Sequence, residues 1–124
     1  MPKVLVVDDD HAISAAISLR LEHHGYIVRI CHSAHQASDI VLRDRPDVIL
    51  LDIDMPHYTG LELHQCLLGT DHGRQIPIAY LTGQQNELVK REAFVLGAAA
   101  YIQKPYDPEL LLEALSRLTS PPTP

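Results

Sequence analysis

The sequence contains few cysteines and fewer basic than acidic residues. Its two cysteines, Cys31 and Cys66, are too few for a disulfide framework and are typical of a reducing compartment. Aspartate and glutamate outnumber lysine and arginine by 16 to 10, which gives a formal charge of −6 with histidine neutral. Because duplex nucleic acid is densely negative, direct nucleic-acid binding by this domain is not expected.

Long apolar runs, a secretory signal and internal repeats are also missing. No apolar run approaches the ~18 residues that a membrane span requires. The opening Met-Pro-Lys does not resemble a secretory signal. We therefore expect a cytoplasmic protein that does not enter a membrane.

Length and composition indicate one folded domain. The chain has 124 residues, of which 46% are hydrophobic and 21% charged, values typical of a globular protein with a sizeable core. We predict a single domain over residues 1–118. The proline-rich residues 119–124 are predicted to form a frayed tail or the start of a linker.

Short apolar runs alternate with amphipathic segments along the whole chain. The runs predicted as strands cover residues 3–7, 26–31, 47–51, 76–81 and 100–102. The segments predicted as helices cover residues 11–24, 33–43, 61–68 and 85–96, with a fifth helix opened by Asp107 as N-cap and Pro108 in its first turn. Strand followed by helix, five times over, predicts an α/β fold with a parallel sheet and helices on both faces.

Acidic side chains follow two of the predicted strands. Asp8 and Asp9 come directly after the first strand, and Asp52 comes directly after the third. In an open parallel sheet, ligands bind beyond the carboxyl ends of the strands, where the strand order reverses. If the first and third strands are neighbours there, the three carboxylates converge, and Mg²⁺ would relieve their repulsion. Asp10 is expected to cap the next helix instead.

Two hydrogen-bond donors follow the remaining strands. Thr82 ends the fourth strand and Lys104 ends the fifth. Taken singly, Thr82 could belong to a turn and Lys104 could be a solvated loop lysine. A hydroxyl and an ammonium together are the donors expected around phosphoryl oxygens. Their joint occurrence with the aspartates at strand ends favours phosphoryl chemistry.

These residues lie in motifs that resemble the receiver domain of two-component response regulators, the superfamily of chemotaxis regulators. The motifs are Val6-Val7-Asp8-Asp9, Leu50 to Pro56 with Gly60, Leu81-Thr82-Gly83, and Gly97 to Pro105. The resemblance covers residues 3–118. It implies a flavodoxin-like, doubly wound sheet of five parallel strands in the order 2-1-3-4-5, with five helices. It also implies a signalling domain, not an enzyme, that is phosphorylated by a sensor histidine kinase or a phosphotransfer protein.

The resemblance assigns a role to each residue at the strand ends. Asp52 matches the phosphoacceptor. Asp9 and Asp52 match direct Mg²⁺ ligands, Asp8 matches a residue that acts mostly through water, and the backbone carbonyl of Asp54 matches a further ligand.

The resemblance also implies a switch. Lys104 matches the lysine that pairs with the phosphoryl group, and Thr82 matches the hydroxyl that bonds to it. Tyr101 matches the aromatic switch residue, which is expected to turn from solvent to a buried position when Thr82 is drawn inward. Asp54 and Gln84 stand at positions that tune dephosphorylation in the family.

One part of the sequence departs from the family pattern. Residues 98–100 are alanines where many relatives carry acidic residues that form a charged dimer face. Apolar residues are instead predicted to face solvent on the fourth and fifth helices, namely Val95, Leu96, Leu110 and Ala114. Several such residues on one face suggest a hydrophobic surface for a homodimer or another partner, formed by the fourth helix, fifth strand and fifth helix.

Two other functions are compatible with parts of the sequence. Asp52-Ile53-Asp54 also resembles the nucleophile motif of haloacid-dehalogenase-type phosphatases, in which the second aspartate is the general acid. A degenerate receiver that only docks partners is the other alternative.

The eight histidines form no recognised zinc pattern, and we expect them to be solvated or partly buried structural residues.

Overall fold

Five strands alternate with five helices along residues 1–119, the part of the chain that the structure, a computed structural model, describes. The strands are β1 (Lys3–Val7), β2 (Ile27–Cys31), β3 (Val48–Leu51), β4 (Ile78–Thr82) and β5 (Ala100–Gln103). The helices are α1 (His11–His23), α2 (Ala34–Asp44), α3 (Gly60–Leu68), α4 (Glu87–Val95) and α5 (Pro108–Thr119), with a short 3-10 helix at Gly73–Gln75. Most of the predicted tail, residues 120–124, lies outside the described part.

All strand pairs are parallel, in the order β2-β1-β3-β4-β5. The prediction of a flavodoxin-like sheet with five helices is therefore confirmed. Val7 pairs with both Cys31 and Leu51, so that β1, β2 and β3 end level with one another. The chain leaves β1 toward β2 on one side and returns to β3 on the other side, which places the reversal of strand order at the carboxyl ends of β1 and β3.

Apolar side chains alternate between the two faces of the sheet and form two cores. Leu5, Ile49 and Tyr80 lie in the core covered by α2, α3 and α4. Val4, Leu50 and Leu81 lie in the core covered by α1 and α5. Central strands buried on both faces explain why their sequences are continuously apolar.

Helix caps mark where two of the predicted helices begin. Asp10 caps α1 as expected, by accepting a hydrogen bond from the Ile13 amide. The fourth helix begins at Glu87 and not at residue 85, because the Asn86 side chain accepts hydrogen bonds from the first-turn amides and so occupies the N-cap position. A 3-10 helix at Gly73–Gln75 precedes β4.

The predicted solvent-facing residues divide into two groups. Val95 and Leu110 are exposed, at 79% and 58% of their surface. The prediction was wrong for Ala114, which is buried, and Leu96 is half-buried. Ala114 lies three residues after Leu111 on the same helix face, and that face packs on the sheet.

Two further apolar side chains, Leu88 and Phe94 of α4, are exposed as well. Together with Val95 and Leu110 they make up the exposed apolar residues of the α4 and α5 surface. Within residues 1–119, no helix is both long enough and apolar enough to cross a membrane.

Candidate functional site

The ladder of hydrogen bonds between strands continues one residue beyond their ends and fixes two aspartates. The Asp8 amide donates to the Cys31 carbonyl at 3.1 Å, and the Asp52 amide donates to the Val7 carbonyl at 3.0 Å. Asp8 and Asp52 therefore sit side by side where the strand order reverses. This is the position that the strand-end argument predicts for a ligand site.

Three carboxylates meet at this edge of the sheet. Asp8, Asp9 and Asp52 each offer an oxygen, and these oxygens lie within 4.8 Å of one another. Asp8 and Asp52 are buried, whereas Asp9 is exposed. Among residues 1–119, this is the only group of three or more potential metal-binding side chains whose ligand atoms lie so close to one another. A set of donors made only of oxygen suits a hard cation such as Mg²⁺.

Lys104 points into the same cluster from the end of β5. Its Nζ atom lies 2.7 Å from Asp8 Oδ2 and 3.5 Å from Asp52 Oδ2. Its backbone amide donates to the Thr82 carbonyl at 2.8 Å, and the Lys104–Pro105 peptide is cis. Burial acts to lower the pKa of Lys104, but the hydrogen bond to Asp8 and the charges of Asp52 and Asp8 outweigh it and raise that pKa. The ammonium is therefore held charged beside the carboxylates.

The environment of Asp52 opposes its ionisation. Burial raises the pKa of Asp52, and the nearby charge of Asp8 adds to this, while the Thr82 hydroxyl and Lys104 oppose it. One carboxylate oxygen, Oδ1, accepts a hydrogen bond from the Ile53 amide at 2.8 Å. Thr82 itself is fully buried. A carboxylate that is poorly solvated and close to other negative charge is suited to bind a cation.

The raised pKa of Asp52 predicts a pH dependence of stability without metal. Because the folded protein binds this proton more tightly than the unfolded chain, the contribution is most favourable below the ordinary pKa of 3.8 and declines as the pH rises through the folded value. In EDTA, Asp52→Asn should raise the free energy of unfolding more near pH 7 than near pH 4. Urea denaturation of both proteins would measure this, and an equal or opposite trend would contradict it.

Gly60 packs against the backbone of the candidate phosphoacceptor. As the first residue of α3, it donates its amide to the Ile53 carbonyl at 2.9 Å. A Cβ atom at this position would overlap the Asp52 carbonyl oxygen and press on the Ile53 Cα atom. Only glycine permits this close approach, which sets the loop that follows Asp52.

The aromatic residue predicted to switch lies half-buried between other rings. The Tyr101 hydroxyl donates to the Gln84 carbonyl at 3.1 Å, and its ring lies 6.0 Å from the rings of both Tyr80 and Phe94. Lys90 Nζ lies 5.4 Å from the centre of the Tyr101 ring. Burial, together with the charge of Asp54, raises the pKa of Tyr101. The hydroxyl therefore stays protonated as a donor.

Gln84 also joins the mouth of the site to Tyr101. Its side-chain Nε2 donates to the Asp54 carboxylate, at 3.2 Å from Oδ1. Its backbone amide donates to the Thr82 hydroxyl at 3.2 Å. The two residues that the family resemblance connects with dephosphorylation, Asp54 and Gln84, are thus bonded to each other.

Sequence patterns did not predict the polar pair beneath Tyr101. His64 Nδ1 lies 2.8 Å from the Tyr80 hydroxyl, and both side chains are buried. Burial lowers the pKa of His64 and raises that of Tyr80. The signal was present in α3, because His64 lies one position after Leu63 and four after Gly60, on the stripe that faces the sheet.

Comparison with known proteins now identifies the class to which this fold and site belong. Residues 4–116 match the family described as the response regulator receiver domain. The chain belongs to this family, whose members are signalling domains of two-component systems that work with histidine kinases or phosphotransfer proteins. Receiver domains typically bind Mg²⁺ in an acidic pocket such as the one formed here.

Particular relatives support the same conclusion. Response regulator MprA of Mycobacterium tuberculosis is 38% identical over 122 residues, which cover 96% of this chain and 52% of that protein. The chain thus spans about half the length of the curated relatives that it matches. Chemotaxis protein CheY4 of Vibrio cholerae superposes with a TM-score of 0.89 at 34% identity, covering 95% of this chain and 98% of that one. A response regulator from Chloroflexus aurantiacus gives 0.89 at 28% identity, covering 96% and 98%.

Proposed function

We propose that this receiver domain accepts a phosphoryl group on Asp52 from the phosphohistidine of a partner kinase or phosphotransfer protein. The observation that carries the proposal is the arrangement at the sheet edge. Asp52 Oδ2 lies 3.5 Å from Lys104 Nζ, within the cluster that Asp8 and Asp9 complete. A nucleophile, a cation-binding pair and a fixed positive charge are what phosphoryl transfer requires.

The proposed phosphoryl transfer exchanges one bond to phosphorus for another. An oxygen of Asp52 forms a bond to phosphorus as the bond from phosphorus to the donor imidazole nitrogen breaks, and that nitrogen keeps the electron pair. Lys104 and the Thr82 hydroxyl are the donors available to the phosphoryl oxygens. The product is an acyl phosphate, which water hydrolyses, so that the signal is transient.

The acidic cluster suits Mg²⁺ as the metal. The ligands proposed are the carboxylates of Asp9 and Asp52, the backbone carbonyl of Asp54, and Asp8 acting mostly through water. When bound, the ion would neutralise negative charge that builds up on the phosphoryl oxygens. The charge of Lys104 neutralises one of the three carboxylates. The two negative charges that remain match the charge of a divalent cation.

Mg²⁺ should stabilise the folded protein, since it binds the native cluster and not the unfolded chain. At a concentration of 100 times the dissociation constant, the expected gain is about 2.7 kcal/mol, seen as a rise in Tm. Asp9→Asn should remove most of this gain while leaving the Tm in EDTA nearly unchanged, because Asp9 is exposed.

Thermal denaturation in EDTA and in Mg²⁺ measures both quantities. Asp39→Asn, which removes an exposed carboxylate from α2, is the matched control and should keep the full response. A response to Mg²⁺ that survives in Asp9→Asn would contradict the proposed ligand set.

The phosphatase alternative is less well supported. The Asp52-Ile53-Asp54 motif follows β3 and lies beside Asp8 and Asp9, as in the receiver family to which the chain belongs. Repeated turnover of a phosphomonoester would favour a phosphatase, whereas labelling that stops at one phosphoryl group per chain favours a receiver. A domain that only docks partners would not become labelled.

The proposed output of phosphorylation lies on the α4 and α5 surface. A phosphoryl group on Asp52 that accepts a hydrogen bond from the Thr82 hydroxyl would pull on the loop that holds Gln84, whose carbonyl accepts the Tyr101 hydroxyl. Tyr101 lies against Phe94 of α4. Changes at Asp52 can therefore reach the exposed apolar residues of this surface, which we propose as a contact for a second copy or another partner.

Leu110→Glu tests self-association through this surface. A charge at an exposed apolar contact should weaken a dimer by about tenfold or more. The same substitution at an exposed leucine outside the contact should not change the association. Leu42→Glu on α2 is the matched control, since Leu42 is 61% exposed and Leu110 is 58% exposed. Sedimentation before and after phosphorylation measures the change. A monomer in both states, unaltered by Leu110→Glu, would contradict self-association.

A further inference from the structure

The ring of His32 holds the backbone of Asp8. Its Nδ1 atom lies 3.0 Å from the Asp8 carbonyl oxygen. Because a carbonyl only accepts hydrogen bonds, Nδ1 must carry a hydrogen and donate it. The preceding residue, Cys31, accepts the Asp8 amide at 3.1 Å. Cys31, the last residue of β2, and His32, which follows it, therefore satisfy both backbone polar groups of Asp8.

The same ring packs on the start of α1. The His11 and His32 rings are stacked, with their centres 3.6 Å apart and their planes 16° apart. His11 is the first residue of α1, directly after the N-cap Asp10. His32 thus contacts the β1–α1 connection on both sides of Asp9, through a hydrogen bond at Asp8 and a stack at His11.

The contacts leave little freedom for the main chain of this connection. The Asp8 side chain accepts the Asp10 amide at 2.9 Å and the Lys104 ammonium at 2.7 Å. The Asp10 side chain accepts the Ile13 amide at 3.0 Å. Asp9, which lies between them, is the exposed member of the acidic cluster. Its carboxylate is placed by main chain that His32 helps to fix.

We propose that His32, with His11 stacked on it, is a positioning residue for the magnesium site. The inference rests on the proposed function, because it concerns the Mg²⁺ affinity of the Asp8, Asp9 and Asp52 cluster. The ring does not bind the metal in this proposal. It holds the Asp8 carbonyl so that the Asp8 and Asp9 carboxylates are arranged before the ion arrives, as outer contacts do at other metal sites.

Two substitutions of His32 separate its two contacts, and a third substitution elsewhere serves as the control. His32→Phe keeps a ring that can stack but removes the donor, and should weaken Mg²⁺ binding about tenfold, the low end of the loss that follows removal of an outer contact that orients metal ligands. His32→Asn keeps an N–H donor near the position of Nδ1 and should stay within about twofold of the unsubstituted protein. His35→Phe, at an exposed histidine on α2, is the matched control and should not change the affinity.

Isothermal titration with MgCl₂ gives the affinities, and the Tm in EDTA shows separately how each substitution alters the metal-free fold. A weaker affinity in His32→Phe that His32→Asn restores supports the proposal. Equal affinities in all the proteins, even with a lower Tm for His32→Phe, would overturn it and leave His32 a structural residue. Equal losses in His32→Phe and His32→Asn would also overturn it.

A second variant covers the case in which His32→Phe does not fold. His11→Ala removes the stack without touching the hydrogen bond to Asp8, and should weaken Mg²⁺ binding by about twofold, as should the loss of the same stack in His32→Asn. Unchanged affinity in His11→Ala, or a loss in His32→Asn much larger than that in His11→Ala, would then overturn the role of the stacked pair. Failure of the unsubstituted protein to bind Mg²⁺ would contradict the proposed function itself, and is distinct from all these results.

Discussion

Asp52→Asn is expected to abolish phosphorylation and to leave the fold intact. An amide is not a nucleophile toward phosphorus, and asparagine has nearly the shape of the aspartate that it replaces. The substitution also removes the buried charge of Asp52. Because burial and the nearby Asp8 raise the pKa of the Asp52 carboxyl, the loss of its charge should not lower the stability. Acetyl phosphate with Mg²⁺ would label the protein, and intact mass would give the stoichiometry.

Asp54→Asn is the matched control for this experiment. Asp54 is exposed, lies two residues after Asp52, and is proposed to contribute only its backbone carbonyl to the metal. It should therefore remain labelled, with at most a change in the lifetime of the acyl phosphate, since its carboxylate is bonded to Gln84. Labelling of Asp52→Asn to the same stoichiometry as the unsubstituted protein would refute the assignment of the phosphoacceptor.

Gly60→Ala should destabilise the protein by about 3 kcal/mol, a typical cost of forcing atoms into a packed site. The added Cβ atom would overlap the Asp52 carbonyl oxygen, so either α3 or the loop after β3 must move. Because that loop also carries the Asp54 carbonyl, Mg²⁺ binding should weaken as well. Urea denaturation in EDTA would measure the free energy of unfolding.

Gly83→Ala is the control for Gly60→Ala. A Cβ atom at Gly83 has open space around it, and Gly83 directly follows Thr82 of the site. Its stability should stay within about 0.5 kcal/mol of the unsubstituted protein, as for most surface substitutions. Gly60→Ala with equally small effects would show that the close approach to Asp52 does not constrain the loop.

The fold could be predicted largely because each strand is a continuous apolar run. Runs such as Val4–Val7 and Val48–Leu51 must be buried on both faces, and the amphipathic segments between them supply the covering helices. The carboxyl ends of parallel strands share one edge, so the residue after each strand could be placed near the others. The same argument brought Asp52 and Lys104 to one site before any distance was known.

The parts that could not be predicted depend on contacts between distant segments. The strand-end argument places His32 near Asp8, since His32 directly follows β2, but nothing in the sequence shows that its ring meets the Asp8 carbonyl and the His11 ring. The burial of Ala114 is a different case, because its place three residues after Leu111 already puts it on the buried face of α5. His64 was missed because a polar residue on an inward stripe has a partner, Tyr80, that the sequence does not indicate.

Identification of the phosphorylated residue is the most direct test of this account. The protein would be incubated with acetyl phosphate and Mg²⁺, reduced with borohydride to convert the acyl phosphate to a stable alcohol, and mapped by peptide mass spectrometry. We expect modification of Asp52 alone, which disappears when EDTA replaces Mg²⁺. Modification at Asp54 or at a histidine, or labelling of Asp52 that does not require a divalent cation, would contradict it.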